Sequence, residues 1–137
     1  MASNFQVTVD CADPMRLATF WATALDYKVE EIPKEWLIAQ NVPQEQWNSR
    51  AAIVDPQGSG ARFFFQQVPE VKTNKNRWHL DLRATEAGVS PGERYEKAKA
   101  KAEQLIAAGA TRLYEMSEFG QNWITLVDPE GNEFCIG

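Results

Sequence analysis

The residue best suited to chemistry is His79, the only histidine among the 137 residues. It lies in KNRWHLDLRA (75–84), where polar and apolar residues alternate as in a β-strand and place Asp81 on the same face. An imidazole beside a carboxylate can act as an acid/base pair or bind a metal ion. Alternate residues of a strand are set about 7 Å apart, however, so we expect His79 and Asp81 to be poorly placed to share a small ion.

Composition limits what kind of protein can carry this histidine. The chain is 44% hydrophobic and has a net charge of -5 without a basic run, which excludes a nucleic-acid or anionic-membrane surface. No apolar run is long enough for a membrane span, and the N-terminus has no signal-peptide pattern. Cys11 and Cys135 are too few for a disulfide framework. We expect a cytoplasmic protein with one domain, residues 1–137.

Two stretches of the chain predict the same order of elements: a strand, a helix and then three strands. In the first stretch Asp13 and Pro14 have the N-cap and first-position chemistry of a helix. The strands predicted around that helix are 5–10, 27–32, 51–54 and 62–68. Residues 33–50 fit neither a strand nor a simple turn.

In the second stretch a capping box at Ser90 begins a helix that ends at Gly109. The strands predicted there are 77–83, 111–116, 122–127 and 133–136. The apolar strand residues expected to pack under the two helices are Val7, Val9, Leu80 and Leu82.

An internal repeat relates the two stretches. Val54-Asp55-Pro56 recurs as Val127-Asp128-Pro129, and Phe5–Val9 aligns with Trp78–Leu82, both at an offset of 73 residues. Residues 1–68 and 77–137 are therefore predicted to be two copies of one module, joined by a polar connector. The repeat makes His79 the partner of Gln6.

The paired modules resemble the vicinal oxygen chelate superfamily, and most closely its glyoxalase-like branch. The motifs that carry the resemblance are DCADP before the first helix, NRWHLDL at the start of the second module and VDPEGNEFCIG at the end. The superfamily includes glyoxalase I, extradiol dioxygenases, fosfomycin-modifying enzymes and bleomycin resistance proteins. The resemblance implies an α+β fold in which two βαβββ modules form an eight-stranded cupped mixed sheet with helices on its convex face, and it implies a homodimer.

The resemblance also identifies four strand positions that supply metal ligands in the family's metalloenzymes. Here they correspond to Gln6, His79, Cys135 and either Phe64 or Gln66. One imidazole and no carboxylate make a poor set for a divalent metal. We therefore expect no cofactor and leave a divalent metal at His79 as the alternative.

The aromatic residues predict where a ligand would bind. Alternation places Trp123 on the same face as Thr125, which we take as the pocket face, whereas Trp21 and Trp78 are expected to be packing residues. Trp36 and Trp47 lie in the 33–50 insertion, which is predicted to be a lid or a dimer contact. Both could contact ligand or only fasten the insertion. Phe119 is a candidate for the rim.

The sequence thus predicts a non-catalytic binder that sequesters a planar aromatic or apolar molecule, such as an antibiotic or natural product, without metal. One alternative is a metal-dependent glyoxalase-like lyase, isomerase or dioxygenase, and another is a metal-free enzyme that uses His79 and Asp81 as acid and base. No catalytic residue is assigned. The residues predicted to contact ligand are Gln6, Thr8, Trp36, Trp47, Phe64, Gln66, His79, Asp81, Phe119, Trp123 and Cys135.

Overall fold

The chain forms two compact units, Met1–Val71 and Lys72–Gly137, in a computed structural model that describes residues 1–137. Each unit holds a four-stranded mixed sheet with a long helix. The predicted fold class, α+β with two βαβββ modules in tandem, is therefore confirmed. No helix has the length and apolar character needed to cross a bilayer.

The first unit has strand order β1-β4-β3-β2, with β1 parallel to β4 and the other pairs antiparallel. Its long helix begins as predicted, because the Asp13 carboxylate accepts a hydrogen bond from the Arg16 amide at 3.2 Å. The elements are β1 (Gln6–Cys11), α1 (Pro14–Leu25), β2 (Lys28–Val29), α2 (Lys34–Ala39), a 3₁₀ turn (Gln44–Gln46), β3 (Arg50–Val54) and β4 (Arg62–Gln67).

The second unit repeats this plan with strand order β5-β8-β7-β6, and β5 is parallel to β8. The predicted capping box is present at the start of its helix, where Ser90 Oγ accepts from the Glu93 amide at 3.3 Å. The elements are β5 (Leu80–Leu82), α3 (Pro91–Ala107), β6 (Thr111–Glu118), β7 (Gln121–Val127) and β8 (Glu133–Ile136).

The helices cover the inner strands of each sheet more than its edges. α1 packs mainly on β3 and β4, and α3 packs mainly on β7, so the fully buried strand residues include Phe65, Ile124 and Phe134. β1 and β5 are edge strands. For this reason Val7, Val9 and Leu80 are only half-buried, and of the four apolar residues expected under the helices only Leu82 is buried.

Two predicted strands are shorter than expected. Of residues 27–32, only Lys28 and Val29 pair as β2, and β5 begins at Leu80 instead of Arg77. The prediction that Trp78 packs beside Leu80 is wrong, because the chain is not yet in the strand at Trp78 and its side chain is 91% exposed. Trp21, in contrast, is buried as predicted.

The insertion at 33–50 folds into α2 and the 3₁₀ turn, neither of which its sequence indicated. Pro33 begins α2, and Leu37 is the buried residue of that helix. Trp47 Nε1 donates to the Val42 carbonyl at 3.0 Å, so Trp47 fastens the insertion to itself. Trp36 remains 53% exposed.

Candidate functional site

A pocket of about 400 Å³ opens on the polar face of the second sheet. Strands β5, β7 and β8 supply most of its wall. Asp81 comes from the edge strand β5, and His79 lies just before that strand. Four residues predicted to bind ligand line it: His79, Asp81, Trp123 and Cys135. The other lining residues are Lys75, Arg83, Arg94, Tyr114, Gln121, Asn122, Thr125, Glu133 and Gly137.

Strand register places three polar side chains in one row across this wall. Asp81 pairs with Cys135 across β5 and β8, and Cys135 pairs with Thr125 across β8 and β7. Side chains of paired residues point to the same face of a sheet. Asp81, Cys135 and Thr125 therefore meet on the pocket side.

His79 and Asp81 approach each other more closely than the sequence predicted. His79 Nε2 lies 3.2 Å from Asp81 Oδ1, although the two residues are two positions apart on the chain. The expectation that they are poorly placed to share a small ion therefore does not hold for their side-chain atoms. The strand spacing fixes only the Cα atoms, and His79 lies before the first residue of β5, where its side chain can lean along the strand.

The Cys135 thiol is the partly buried member of the cluster. Burial raises its pKa above the ordinary value, and the negative charges of Asp81 and Glu133 raise it further, whereas the Thr125 hydroxyl and Lys75 lower it. The Thr125 Oγ1 and Cys135 Sγ atoms are 3.3 Å apart, within hydrogen-bonding distance. The balance favours the protonated thiol at neutral pH.

This cluster can be tested as a metal site. One ligand atom each from His79, Asp81 and Cys135 lies within 4.8 Å of the others. The three donors suit zinc in type and number, but two zinc–ligand bonds of about 2.0–2.3 Å cannot span more than roughly 4.6 Å. The cluster would have to contract and lose the thiol proton to hold zinc. The cluster suits a hard ion such as Mn(II) less well, because hard ions prefer oxygen donors and only Asp81 supplies one.

The charged groups of the pocket divide into paired and unpaired sets. Lys75 Nζ lies 2.7 Å from Glu133 Oε2, and Asn76 Nδ2 donates to the Glu133 carbonyl at 2.9 Å, which holds the connector against β8. The hydrogen bond to Glu133 raises the pKa of Lys75. Arg83 and Arg94 also line the pocket, and neither has a carboxylate partner.

The aromatic part of the wall comes from two adjacent strands. Trp123 on β7 is half-buried, and Tyr114 on β6 is 48% exposed. The prediction that Trp123 shares the Thr125 face is confirmed. A β-bulge between Arg112 and Tyr114 shifts the register of β6, so simple alternation along β6 could not have identified Tyr114.

Other pocket residues were missed for separate reasons. Arg83 continues the face of Asp81, so strand alternation alone could have included it. Arg94 comes from the first turns of α3, and its place depends on how the helix packs. Lys75 belongs to a connector with no periodic pattern.

The first sheet carries the remaining strand residues predicted to bind ligand. Register pairs Thr8 with Phe64, just as Asp81 pairs with Cys135. Because Thr8 and Asp81 are repeat partners, Phe64 and not Gln66 corresponds to Cys135.

Polar pairs close much of this first face. Arg62 forms a bidentate contact with Glu30 at 3.0 and 3.1 Å and donates to Gln6 Oε1 at 2.7 Å. The Arg62 hydrogen bond lowers the pKa of Glu30. Gln66 Nε2 donates to Asp10 Oδ1 at 2.7 Å. Gln6 and Gln66 are therefore engaged within their own sheet, and Arg62 lies 5.6 Å from the centre of the Phe64 ring.

Three of the aromatic residues predicted to bind ligand lie outside the strands, and their surroundings differ. Trp36 and Trp47 belong to the insertion of the first unit. Phe119 lies at the β6–β7 turn with a positive φ of 51°, is 94% exposed and does not line the pocket of its unit. Their contact with ligand stays a prediction.

A family model described as a glyoxalase-like domain matches residues 6–137 of the chain. No curated protein matches the chain. The match covers both units and includes every strand and helix described above.

Several solved structures share the fold at low sequence identity. A glyoxalase/bleomycin resistance protein/dioxygenase family enzyme from Burkholderia phytofirmans PsJN is 15% identical, with a TM-score of 0.63 and coverage of 96% of this chain and 94% of that chain. The fosfomycin resistance protein FosX from Listeria monocytogenes, in complex with Mn(II) and 1S,2S-dihydroxypropylphosphonic acid, is 11% identical, with a TM-score of 0.64 and coverage of 99% and 90%. Oxidase ChaP-H2 is 16% identical, with a TM-score of 0.58 and coverage of 99% and 92%.

Proposed function

Because the chain belongs to the glyoxalase-like family, we propose that it is a binding protein that holds a small planar molecule in the pocket of its second unit. The observation that carries the proposal is an open pocket of about 400 Å³ with Trp123 and Tyr114 on its wall. That volume suits a compact organic ligand, and an aromatic side chain stacks on planar rings with little loss of conformational entropy. We propose sequestration, as in drug or natural-product resistance, as the biological purpose.

The state of Cys135 and Lys75 supports binding over nucleophilic catalysis. Lys75 is engaged with Glu133, and burial raises the pKa of the Cys135 thiol, which favours its protonated form. The 3.2 Å contact between His79 and Asp81 is the one arrangement in the pocket that would suit acid/base chemistry. A nucleophile needs an adjacent base that can take its proton, or a lowered pKa. Cys135 has the opposite shift. These side chains would instead act as polar contacts around a stacked ligand.

The proposal can be tested with N-phenyl-1-naphthylamine, an uncharged probe with a planar naphthalene ring that fluoresces in apolar surroundings. We expect saturable binding at micromolar concentration, unchanged by EDTA and weakened about tenfold or more in Trp123→Ala. Leu113→Ala is the matched control, because Leu113 is an exposed apolar residue on the neighbouring strand that does not line the pocket. Absence of saturable binding, or equal loss in both variants, would reject the proposal.

A zinc-dependent lyase or isomerase is the second candidate, and the His79, Asp81 and Cys135 cluster favours it. Zinc held there would polarise a substrate carbonyl. Metal analysis of the purified protein separates the two functions. One equivalent of zinc in the parent protein, lost in His79→Ala together with lyase or isomerase activity, would establish the second candidate and overturn the first.

A further inference from the structure

We infer that the ligand of the second-unit pocket is a planar aromatic anion whose carboxylate or similar oxyanion binds Arg83 and Arg94. The inference rests on the proposed function, since it names the chemical class of the molecule bound at that site. It follows from the charged side chains on the pocket wall.

Each carboxylate of the pocket already has a partner. Asp81 Oδ1 lies 3.2 Å from His79 Nε2, and Glu133 Oε2 lies 2.7 Å from Lys75 Nζ. Two guanidinium groups then remain without a carboxylate, in a protein whose net charge is -5. With His79 neutral, the three cations Lys75, Arg83 and Arg94 outnumber the carboxylates of Asp81 and Glu133 by one charge. A pocket with net positive charge in an acidic protein attracts an anion.

The repeat shows that this charge is particular to the second unit. Arg83 corresponds to Asp10 at the offset of 73 residues, so the same strand position is acidic in the first unit. Asp10 is engaged by Gln66, whereas Arg83 has no equivalent partner, because register places Gly137 at the position of Gln66. The fold does not require a cation at this position.

Hydrogen bonds hold the backbone on both sides of Arg83 and one guanidinium nitrogen of Arg94. The Gly137 amide donates to the Leu82 carbonyl at 3.0 Å and the Ala84 amide donates to the Gly137 carbonyl at 3.2 Å, which holds the chain on both sides of Arg83. Arg94 is half-buried, and one of its guanidinium nitrogens donates to the Val89 carbonyl at 3.3 Å. Its other N–H groups stay available to a ligand.

Guanidinium chemistry identifies the ligand group. Arginine presents N–H donors in a planar fork that matches the two oxygens of a carboxylate or the oxygens of a sulfonate or phosphate. Trp123 and Tyr114 on the same wall supply flat surfaces for the ring that carries this group. A neutral planar molecule would use the aromatic wall and leave both arginines unpaired.

The test uses two probes that differ only in an anionic group: 1-anilinonaphthalene-8-sulfonate and uncharged N-phenyl-1-naphthylamine. We expect Arg83→Gln and Arg94→Gln each to weaken binding of the sulfonate about tenfold and to change binding of the uncharged probe by less than about twofold. Added salt should weaken sulfonate binding in the parent protein and have less effect in the double variant.

Arg16→Gln is the matched control, because Arg16 is exposed on α1, has no ion pair and does not line the pocket. It should leave both affinities unchanged, and circular dichroism melts should show that all variants are folded. If the double variant binds the sulfonate as tightly as the parent, the inference is overturned while uncharged-probe binding preserves the proposed function. If neither probe binds the parent protein, both fail.

Discussion

At the scale of single residues, the protonation of Cys135 decides between binding and metal chemistry. A zinc ligand must be a thiolate, and a thiol that keeps its proton makes only a weak polar contact. Burial and the nearby carboxylates of Asp81 and Glu133 raise the pKa of this thiol. The free protein should therefore carry a neutral thiol at the wall of the pocket.

We expect Cys135 to react slowly with iodoacetamide at pH 7. The rate should keep rising through the alkaline range, because a raised pKa moves formation of the reactive thiolate to higher pH. Mass spectrometry of the Cys135 peptide measures the rate, and Cys135→Ser provides the blank. Cys11 is only 3% exposed and should stay unmodified in the folded protein. Fast alkylation with a plateau near neutral pH would contradict the assignment and strengthen the zinc candidate.

The residue scale is also where sequence reasoning was least able to predict the site. The repeat paired Gln6 with His79, and alternation correctly placed Trp123 with Thr125. The 3.2 Å approach of His79 to Asp81 could not be predicted, because it depends on side-chain torsions at the end of a strand and not on strand spacing. Arg94 reaches the pocket only through the packing of α3.

At the scale of elements, the turns that precede β4 and β8 are each held by an aspartate carboxylate, and the two carboxylates differ in burial. Asp55 accepts from the amides of Gln57, Ser59 and Gly60, and these bonds lower its pKa. Asp128 accepts from the amides of Glu130 and Asn132 and from the Asn132 side chain. Asp128 is buried at 3% exposure, whereas Asp55 is half-buried.

Asp128→Ala should therefore lower the free energy of unfolding by about 2–3 kcal/mol, and Asp55→Ala should lower it by clearly less. Water can replace the lost acceptor at the half-buried turn but has poor access to the buried one. Urea denaturation of the two variants gives both values, and each variant is the control for the other because they are repeat partners. Equal losses of unfolding free energy would show that burial of the turn carboxylate does not determine how much it stabilises the fold.

The insertion at 33–50 is a second element with a measurable role. Trp47→Phe removes the indole donor to Val42 and should cost about 0.5–1.5 kcal/mol of folding free energy. Trp36→Phe should cost almost nothing, because Trp36 is 53% exposed and no hydrogen bond holds its indole nitrogen. Thermal melts compare the pair. If Trp36→Phe proves the more damaging, the insertion is fastened differently from the contact seen here.

The sequence predicted most elements to within two residues, since caps, turns and alternation are local signals. β8 was predicted with its observed bounds, and the N-caps Asp13 and Ser90 were both correct. The sequence did not predict α2, because six residues with one buried leucine have too little periodicity to indicate a helix. It also overestimated β5, since the alternation of residues 77–79 continues beyond the hydrogen-bonded strand.

At the scale of the whole molecule, large apolar side chains are exposed at equivalent places in the two units. Phe5 is 72% exposed and its repeat partner Trp78 is 91% exposed, each just before the first strand of its sheet. Exposed aromatic residues are enriched at protein interfaces. The family resemblance implies a homodimer, and we propose that these two residues lie at its contact.

Light scattering after gel filtration should give a mass near twice 15.5 kDa for the parent protein. The double variant Phe5→Ser/Trp78→Ser should shift toward the monomer, because it removes apolar surface from the proposed contact. Val71→Ser is the control, since Val71 is 82% exposed but lies in the connector, outside the 33–50 insertion and outside both sheets. A monomeric parent protein at tens of micromolar would end the dimer proposal.

The contrast between the two polar sheet faces has a consequence for evolvability. On the first face the polar side chains bind one another: Arg62 contacts Glu30 and Gln6, and Gln66 contacts Asp10. The second face retains two arginines without a carboxylate partner. A substitution on the first face therefore breaks an existing polar contact, whereas a substitution at the arginines of the second face breaks no ion pair. In a library selected for a new ligand, adaptive substitutions should accumulate after residue 72. Deep mutational scanning would refute this expectation if gains were spread evenly over both copies.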